Sequence, residues 1–192
     1  MAGGFVLCWR GMRKEGCKLV VALTGTALVV GLLVAGVEAV TRKPIADAKD
    51  RAFNDSLLGV LPPGSPPPCP VEVTLDDGTA RTVYVAGDAV AIRTSSPNGY
   101  GGEVALLLGF AADDTLYGYS VLAHAETPGL GSNIGNPRFM APLLQRHAFT
   151  TDWRVAKDGG DIDAITAATI SSRAVCDAIR AAVPLLAAAR KR

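Results

Sequence analysis

An uncharged, apolar run from Leu19 to Val37 constrains this chain more than any other feature of its sequence. A helix of about 20 apolar residues spans the hydrocarbon core of a bilayer, and this run has nearly that length. A cleaved signal peptide has a shorter apolar core, of about 7 to 15 residues, and Val34-Ala35-Gly36 is a weak cleavage site. The sequence therefore favours a retained transmembrane helix over residues 19–40.

The basic residues on either side of this run predict its orientation. Four of them precede it closely, whereas two follow it. The positive-inside rule then places residues 1–18 in the cytoplasm and everything beyond residue 40 on the opposite side. We expect a single-pass protein of a bacterial inner membrane, in contact with membrane lipid, whose globular part is periplasmic. The four residues are Arg10, Arg13, Lys14 and Lys18, and the two are Arg42 and Lys43.

The composition argues against two other classes of protein. Without its basic ends the chain is mildly acidic, and only 6% of its residues are aromatic, so we expect no nucleic-acid partner. The four cysteines form no CxxC pair, haem-attachment motif or iron–sulfur run, so we expect no metal site. A disulfide could join Cys69 and Cys176, which both follow the membrane segment, but inert buried thiols are the preferred interpretation.

Two segments within residues 41–70 separate the membrane helix from the rest of the chain. Apolar residues recur at helical spacing from Ile45 to Leu61, which predicts an amphipathic helix that continues from the anchor or lies on the membrane. The proline-rich stretch from Pro62 to Pro70 cannot hold a helix and predicts a semi-rigid, extended connector. We therefore place the domain boundary at this connector and a single globular domain at residues 71–192.

Beyond the connector, two segments that alternate apolar and polar residues around a turn at Asp76-Asp77-Gly78 predict a hairpin, and three further strand-like runs bring the predicted strands to five. A short helix interrupted by Pro142 is predicted within residues 137–149. A further strand is predicted at 151–156 and a final helix over 169–189. Strands followed by helices indicate an α+β fold with a mainly antiparallel sheet and a packed C-terminal helix. The five predicted strands are 71–75, 80–86, 89–95, 103–111 and 116–125.

The segment HAETPGLGSNI, from His124 to Ile134, directly follows the last of these strands. Its glycines and its proline are typical of binding loops that a rigid scaffold holds in place. The glycine spacing does not match a dinucleotide-binding loop, and His124 and Glu126 lack the spacing of a zinc protease. On the residues alone, the simpler explanation is that His124 is a hydrogen-bonded structural histidine and that Glu126 is a carboxylate in a turn.

A second segment, from Asp161 to Ser172, begins the final predicted helix and contains two threonines among small residues. A helix N-terminus presents free N–H groups and about half a positive charge, so a phosphate at Thr169 would be stabilised without any basic side chain. Thr166 or Thr169 would instead serve as a helix cap, as hydroxyl residues routinely do. From the residues alone, capping is the simpler interpretation.

The run DAITAAT, from Asp163 to Thr169, resembles the D-x-x-S/T-G-A-T motif of the covalent FMN-binding domain family. The resemblance is to the G subunit of Rnf-type ion-translocating oxidoreductases and, more distantly, to the C subunit of sodium-translocating NADH:quinone reductases. It implies that Thr169 carries FMN through a phosphoester, and that Asp163 and Thr166 belong to the motif recognised by a flavin transferase. Ala168 matches the motif. Ala167 replaces its usual glycine, which matters if that position needs a positive φ.

The HAETPGLG segment is similar to a second motif of the same family, H-x-E-T-P-G-L-G. The resemblance implies electron relay in a multisubunit membrane complex, with neighbouring subunits as electron donor and acceptor. For such an electron carrier, no residue of this chain needs to act as a general acid or nucleophile toward a diffusing substrate, and we expect no catalytic residue. The residues of this segment that the resemblance places at the FMN site are His124, Glu126, Thr127, Gly129, Leu130 and Gly131.

Two other functions remain open on the sequence. The chain could be a non-redox, exported ligand-binding or assembly subunit of a membrane complex, in which the TAAT segment only caps a helix. It could also be a membrane-tethered hydrolase that uses His124 and Glu126. No nucleophile constellation or metal-ligand set accompanies these two residues in the sequence, so the hydrolase is the weaker alternative.

Overall fold

The computed structural model describes residues 4–75 and 78–191, with side chains from residue 18 onward. Its first helix, α1, extends from Gly4 to Val60 and includes Pro44, so the predicted amphipathic helix continues directly from the membrane segment. The chain divides into two compact units, Met1–Arg51 and Ala52–Arg192, and the division falls inside α1.

One described helix, α1, is long and apolar enough to cross a membrane. Its apolar side chains are exposed, and Val40, for example, is 76% exposed. A core helix of a soluble protein would bury such side chains, because exposed apolar surface of this extent is unfavourable in water. The exposure of the apolar stretch therefore fits the predicted membrane-spanning role.

The second unit contains a five-stranded antiparallel sheet in which each strand pairs with the next along the chain. The predicted strands are confirmed to within two residues at either end. Asp76 and Asp77, in the predicted turn between the first two strands, lie outside the described residues. The strands are β1 Cys69–Thr74, β2 Ala80–Ala86, β3 Ala89–Ser96, β4 Val104–Phe110 and β5 Leu116–Ala123.

Helix α3, from Thr169 to Arg190, covers one face of this sheet and closes the main core. Its fully buried Val175 and Ile179 share that core with Leu106 and Leu108 of β4. The helix contributes residues from one of its faces, and the strand contributes every second residue, as the periods of about 3.6 residues in a helix and 2 in a strand require. The α+β fold with an antiparallel sheet and a packed C-terminal helix is thus confirmed.

The opposite face of the sheet is covered by the last turns of α1. Leu57 and Val60 share a second, smaller core with Leu107 of β4. The compact globular unit therefore begins at Ala52, before the boundary at residue 71 that the proline-rich connector suggested. The helix that precedes the prolines thus already contributes apolar side chains to the sheet.

Between β5 and α3 the chain is mostly irregular, which corrects two predictions. Within residues 137–149, the predicted helix is reduced to the short α2, Pro137–Met140, followed by turns. The strand predicted at 151–156 is wrong, since Val155 forms only an isolated bridge. Trp153 is buried, and its Nε1 donates to a backbone carbonyl at 2.9 Å. The apolar pattern here reflects burial of side chains in a loop rather than pairing in the sheet.

Cys69 and Cys176 are free thiols, so the structure does not contain the disulfide that the sequence left open. Cys69 is exposed at the start of β1, and Cys176 is buried in α3. Burial raises the pKa of the Cys176 thiol to about 12, so this thiol stays protonated and unreactive at neutral pH. The interpretation as an inert buried thiol is confirmed for Cys176 and is wrong for Cys69.

Candidate functional site

The two segments singled out in the sequence meet at one cleft of 490 Å³. The loop after β5 forms one wall, and the start of α3 forms the other. Tyr100, which sequence reasoning did not single out, also lines the cleft. The predicted site residues that line it are Glu126, Thr127, Leu130, Gly131, Ala168 and Thr169.

The loop after β5 is held in shape by its own hydrogen bonds. The N–H groups of Leu130 and Ser132 both donate to the Thr127 carbonyl, each at 3.2 Å. Gly129 has a φ of 78°, a left-handed conformation that glycine adopts without strain. The Gly129 N–H donates to the Ser132 hydroxyl at 2.9 Å. Gly129 therefore shapes the turn that brings Thr127 and Leu130 to the cleft.

The carboxylate of Glu126 connects three separate parts of the chain. Glu126 is buried, and its Oε2 accepts a 2.5 Å hydrogen bond from the Ser171 hydroxyl, while its Oε1 accepts a 3.2 Å bond from the Gly101 N–H. Gly131 lies so close that a Cβ there would overlap both the Glu126 carboxylate and the Ser171 hydroxyl. Hydrogen bonds of this kind make a buried carboxylate tolerable. Glu126, in the loop after β5, thus connects that loop to α3 and to the glycine-rich loop that contains Tyr100 and Gly101.

The start of α3 is held by Ser172 rather than by a threonine cap. The Ser172 hydroxyl donates to the Ala168 carbonyl at 3.0 Å and accepts from the Ile165 N–H at 2.9 Å. Ala168 is the N-cap residue and provides no side-chain hydrogen bond. The suggestion that Thr166 or Thr169 caps this helix is therefore wrong.

The hydroxyl of Thr169 accepts a hydrogen bond from Lys157, with 3.2 Å between Nζ and Oγ1. The next residue, Asp158, accepts two hydrogen bonds from the guanidinium of Arg173 in α3, each 2.7 Å long. These bonds lower the pKa of the Asp158 carboxyl, so it remains ionised at neutral pH. The ion pair joins the turn Ala156–Asp158 to α3 and keeps Lys157 beside Thr169.

Comparison with known proteins connects this cleft to a family. Residues 99–184, which include both walls of the cleft, match the FMN-binding domain family. The chain is 36% identical over 195 residues to the G subunit of the ion-translocating oxidoreductase complex of Pseudomonas aeruginosa strain UCBPP-PA14, and 88% of each chain is covered. The chain belongs to this family of G subunits.

Two further relatives carry the same name. The protein of the same name from Vibrio cholerae strain M66-2 is 37% identical over 190 residues, covering 90% of this chain and 88% of the relative. The one from Methanosarcina acetivorans is 31% identical over 184 residues, covering 91% and 96%. These matches extend over nearly the whole chain and confirm the resemblance drawn from the two motifs.

The cleft of this G-subunit family member has a size and chemistry that fit FMN. Its volume lies within the range of about 300–1,000 Å³ that small-molecule sites occupy. Three large side chains around it are exposed: Tyr100 by 70%, Leu130 by 46% and Ile170 by 45%. A planar ring system would cover this apolar surface. The Thr169 hydroxyl and the Lys157 ammonium provide polar atoms suited to a phosphate.

Two residues of the G-subunit motif lie outside this cleft. Asp163 and Thr166 are exposed, and they line a neighbouring groove together with Arg138 and Arg146. Exposed positions suit residues that another protein must recognise, whereas residues that touch the flavin should line the cleft. The structure thus separates Thr169, in the cleft, from Asp163 and Thr166.

His124 and Glu126 do not form a hydrolytic pair. His124 is exposed, and its Nδ1 accepts the Glu126 backbone N–H at 3.1 Å. The Glu126 carboxylate points instead to Ser171 and Gly101. Within the residues that the structure describes, no group of three His, Cys, Asp or Glu side chains could hold a metal ion. The geometry therefore gives the hydrolase alternative no support.

Sequence reasoning missed Tyr100 and Lys157, for different reasons. Tyr100 lies among glycines, in Gly99-Tyr100-Gly101-Gly102, and an aromatic residue in such a loop is a recognisable binding signal. Lys157 precedes Thr169 by 12 residues and meets it only because the intervening loop folds back. No local spacing rule relates these two positions.

Ala167, which replaces the usual glycine of the motif, has a φ of 62°. The left-handed conformation is unfavourable for an L-residue by roughly 1–2 kcal/mol, whereas glycine adopts it freely. We expect Ala167→Gly to raise the free energy of unfolding by about 0.5–1 kcal/mol, after the entropy that glycine adds to the unfolded chain is subtracted. Chemical denaturation of the full chain in detergent measures this change.

A matched control for this substitution is Ala168→Gly. Ala168 has a φ of −135°, so glycine relieves no strain there and should lower the stability or leave it unchanged. A loss of stability in Ala167→Gly as well would show that Ala167 stores no strain in its left-handed conformation.

Proposed function

We propose that this protein is the electron-transferring subunit of a membrane-bound, Rnf-type ion-translocating ferredoxin:NAD oxidoreductase complex, and that it carries FMN covalently on Thr169. The observation that carries the proposal is the environment of this residue. Its hydroxyl lies at a cleft with an apolar rim, does not cap α3 and accepts a bond from a lysine. The name shared by the relatives and the FMN-binding domain support the same function.

The proposed attachment is a phosphoester made by a separate flavin transferase, with FAD as the donor. The Thr169 oxygen forms a bond to the phosphorus on the riboflavin side, the P–O bond to the adenylate half breaks, and AMP leaves with the bonding electron pair. The hydroxyl proton passes to a base of the transferase. This chain supplies the hydroxyl and an accessible recognition motif, and the exposure of Asp163 and Thr166 supports that division of roles.

FMN bound in this cleft would supply one-electron redox chemistry, and the protein would position the flavin and shield it from water. Glu126 holds the cleft walls together through Gly101 and Ser171. Tyr100 and Leu130 would cover apolar parts of the ring and exclude water from them. Nothing in this arrangement requires a side chain to exchange a proton with a diffusing substrate, so we assign no catalytic residue.

We further propose that α1 anchors the protein in a bacterial inner membrane, with the N-terminus cytoplasmic and the FMN-binding domain periplasmic. The excess of basic residues before the apolar run supports this orientation. The apolar stretch of α1 would contact lipid, and neighbouring membrane subunits with their own redox centres would donate and accept the electrons. A covalent link would prevent loss of the flavin in a compartment that has no FMN supply.

Peptide mapping of the protein from its native host tests this function. Trypsin cleaves after Lys157 and Arg173, so one fragment, residues 158–173, contains Thr169. We expect this fragment to carry flavin absorbance and the added mass of an FMN ester, whereas the adjacent fragment, residues 174–180, should carry neither. An unmodified 158–173 fragment in protein from active membranes would contradict the electron-transfer role and favour a non-redox subunit.

A further inference from the structure

We propose that Lys157 holds the phosphate of the flavin donor beside Thr169 during attachment and afterwards pairs with the finished phosphoester. This inference rests on the proposed function, because it takes Thr169 as the attachment residue. It adds a phosphate-binding residue that lies outside both sequence motifs, in the turn Ala156–Asp158. The chemistry it recognises is a negatively charged phosphate oxygen, which a lysine ammonium binds as a point charge.

The contact between Lys157 and Thr169 carries the inference. Nζ of Lys157 lies 3.2 Å from Oγ1 of Thr169, the atom that would bond to phosphorus. A cation at this distance from the linking oxygen is also close to the other oxygens of the same phosphorus, where the negative charge resides. Lys157 is therefore placed to stabilise the phosphate both as it approaches and once it is attached.

Two arginines close to Lys157 in the sequence or bonded to its neighbour Asp158 are already paired with carboxylates. Arg173 makes two 2.7 Å bonds to Asp158, and Arg154 forms an ion pair with Asp152. Among the ion pairs found in the described part of the chain, none includes Lys157. Lys157 can thus turn from the Thr169 hydroxyl to a phosphate oxygen without breaking a salt bridge.

The backbone that bears Lys157 is fixed on both sides. The Ala156 N–H donates to the Ile162 carbonyl at 2.7 Å, and the Asp158 N–H donates to the Val155 carbonyl at 2.8 Å. The ion pair of Asp158 with α3 adds a third connection. Because its backbone is already ordered, Lys157 loses less conformational entropy on binding a phosphate than a lysine in a mobile loop would.

The test is the rate at which the purified full chain in detergent acquires covalent flavin from FAD and a flavin transferase. We expect Lys157→Met to lower the initial rate at low salt by roughly two- to fivefold, which is within the range for an exposed contact between opposite charges. Lys157→Arg should recover most of the rate. Lys191→Met removes the same charge from an exposed position at the end of α3, and it should leave the rate unchanged.

Salt provides a second readout, because screening weakens exposed electrostatic contacts. Raising the ionic strength should slow the wild-type reaction more than that of Lys157→Met, so the two rates should converge. An equal rate for Lys157→Met and wild type at low salt would overturn the role of Lys157. Failure of the wild type itself to acquire flavin would instead overturn the proposed function. A slower rate accompanied by a lower melting temperature would assign Lys157 to loop structure and contradict its role at the phosphate.

Phosphorus NMR of the finished product separates a contact with phosphate from a contact with the transferase. If Lys157 pairs with the phosphoester, the ³¹P resonance of flavinylated wild type should differ from that of flavinylated Lys157→Met and should match that of Lys191→Met. A slower attachment rate with an unchanged ³¹P resonance would show that Lys157 contacts the transferase, and the phosphate role would be wrong.

Discussion

A chain in which Thr169 is replaced by valine should carry no covalent flavin. Valine keeps the branched shape of threonine but has no oxygen to which phosphorus can be joined. Since the Thr169 hydroxyl does not cap α3 and contacts the exposed Lys157, its removal should leave the fold intact. Co-expression with a flavin transferase, followed by in-gel fluorescence after denaturation, measures the result: we expect a fluorescent wild-type band and a dark Thr169→Val band.

Two control variants sharpen this experiment. Thr169→Ser retains a hydroxyl at the same position and should remain fluorescent. Thr82→Val removes a hydroxyl from an exposed threonine of β2, away from the cleft, and should be as fluorescent as the wild type. Fluorescence that survives Thr169→Val would move the attachment to another residue and would remove the basis for the role of Lys157 as well.

The sheet and α3 could be predicted from the sequence because burial imposes a period on each of them. Ile92 and Leu106 are fully buried within short apolar runs, and Val83 is fully buried in a strand whose alternation of apolar and polar residues was evident. The same signal failed at residues 151–156, where Trp153 and Val155 are buried in a loop. Alternation reports which side chains are buried, but it does not report whether the backbone has a strand to pair with.

The surface against which the end of α1 packs could not be predicted from a local sequence pattern either. The spacing of Leu57 and Val60 predicted a helix with an apolar face, and this helix is present. Whether that face meets lipid or protein depends on where the sheet lies. In the folded chain the two residues pack on β4, so they belong to the globular unit.

Both walls of the cleft were predicted through their motifs, whereas the contacts that join them were not. Glu126 was predicted as an FMN contact, and it does line the cleft. Its two carboxylate oxygens, however, bind Ser171 and Gly101, which are 45 and 25 residues away along the chain. Rules for caps and turns act over a few residues, so pairs at such separations emerge only from the tertiary fold.

Removing the Glu126 carboxylate should therefore destabilise the globular unit and open the cleft. In Glu126→Ala, the buried Ser171 hydroxyl and the Gly101 N–H both lose their acceptor. We expect the free energy of unfolding to fall by about 2–4 kcal/mol, because hydrogen bonds to a charged group are worth roughly 1.5–3 kcal/mol and unpaired buried donors are unfavourable. Chemical denaturation of the full chain in detergent, followed by near-UV circular dichroism, measures this loss.

The same variant tests what Glu126 contributes to flavin loading. Glu103→Ala, which removes an exposed carboxylate from the same unit, should change the stability by no more than about 0.5 kcal/mol and should load flavin normally. Combining Glu126→Ala with Ser171→Ala should cost less than the sum of the two single changes, because both remove the same hydrogen bond. If instead the two losses of unfolding free energy add, the two side chains do not share a hydrogen bond and the carboxylate does not hold the walls together. If Glu126→Ala unfolds like the wild type but fails to load flavin, the importance of the carboxylate lies in direct contact with FMN.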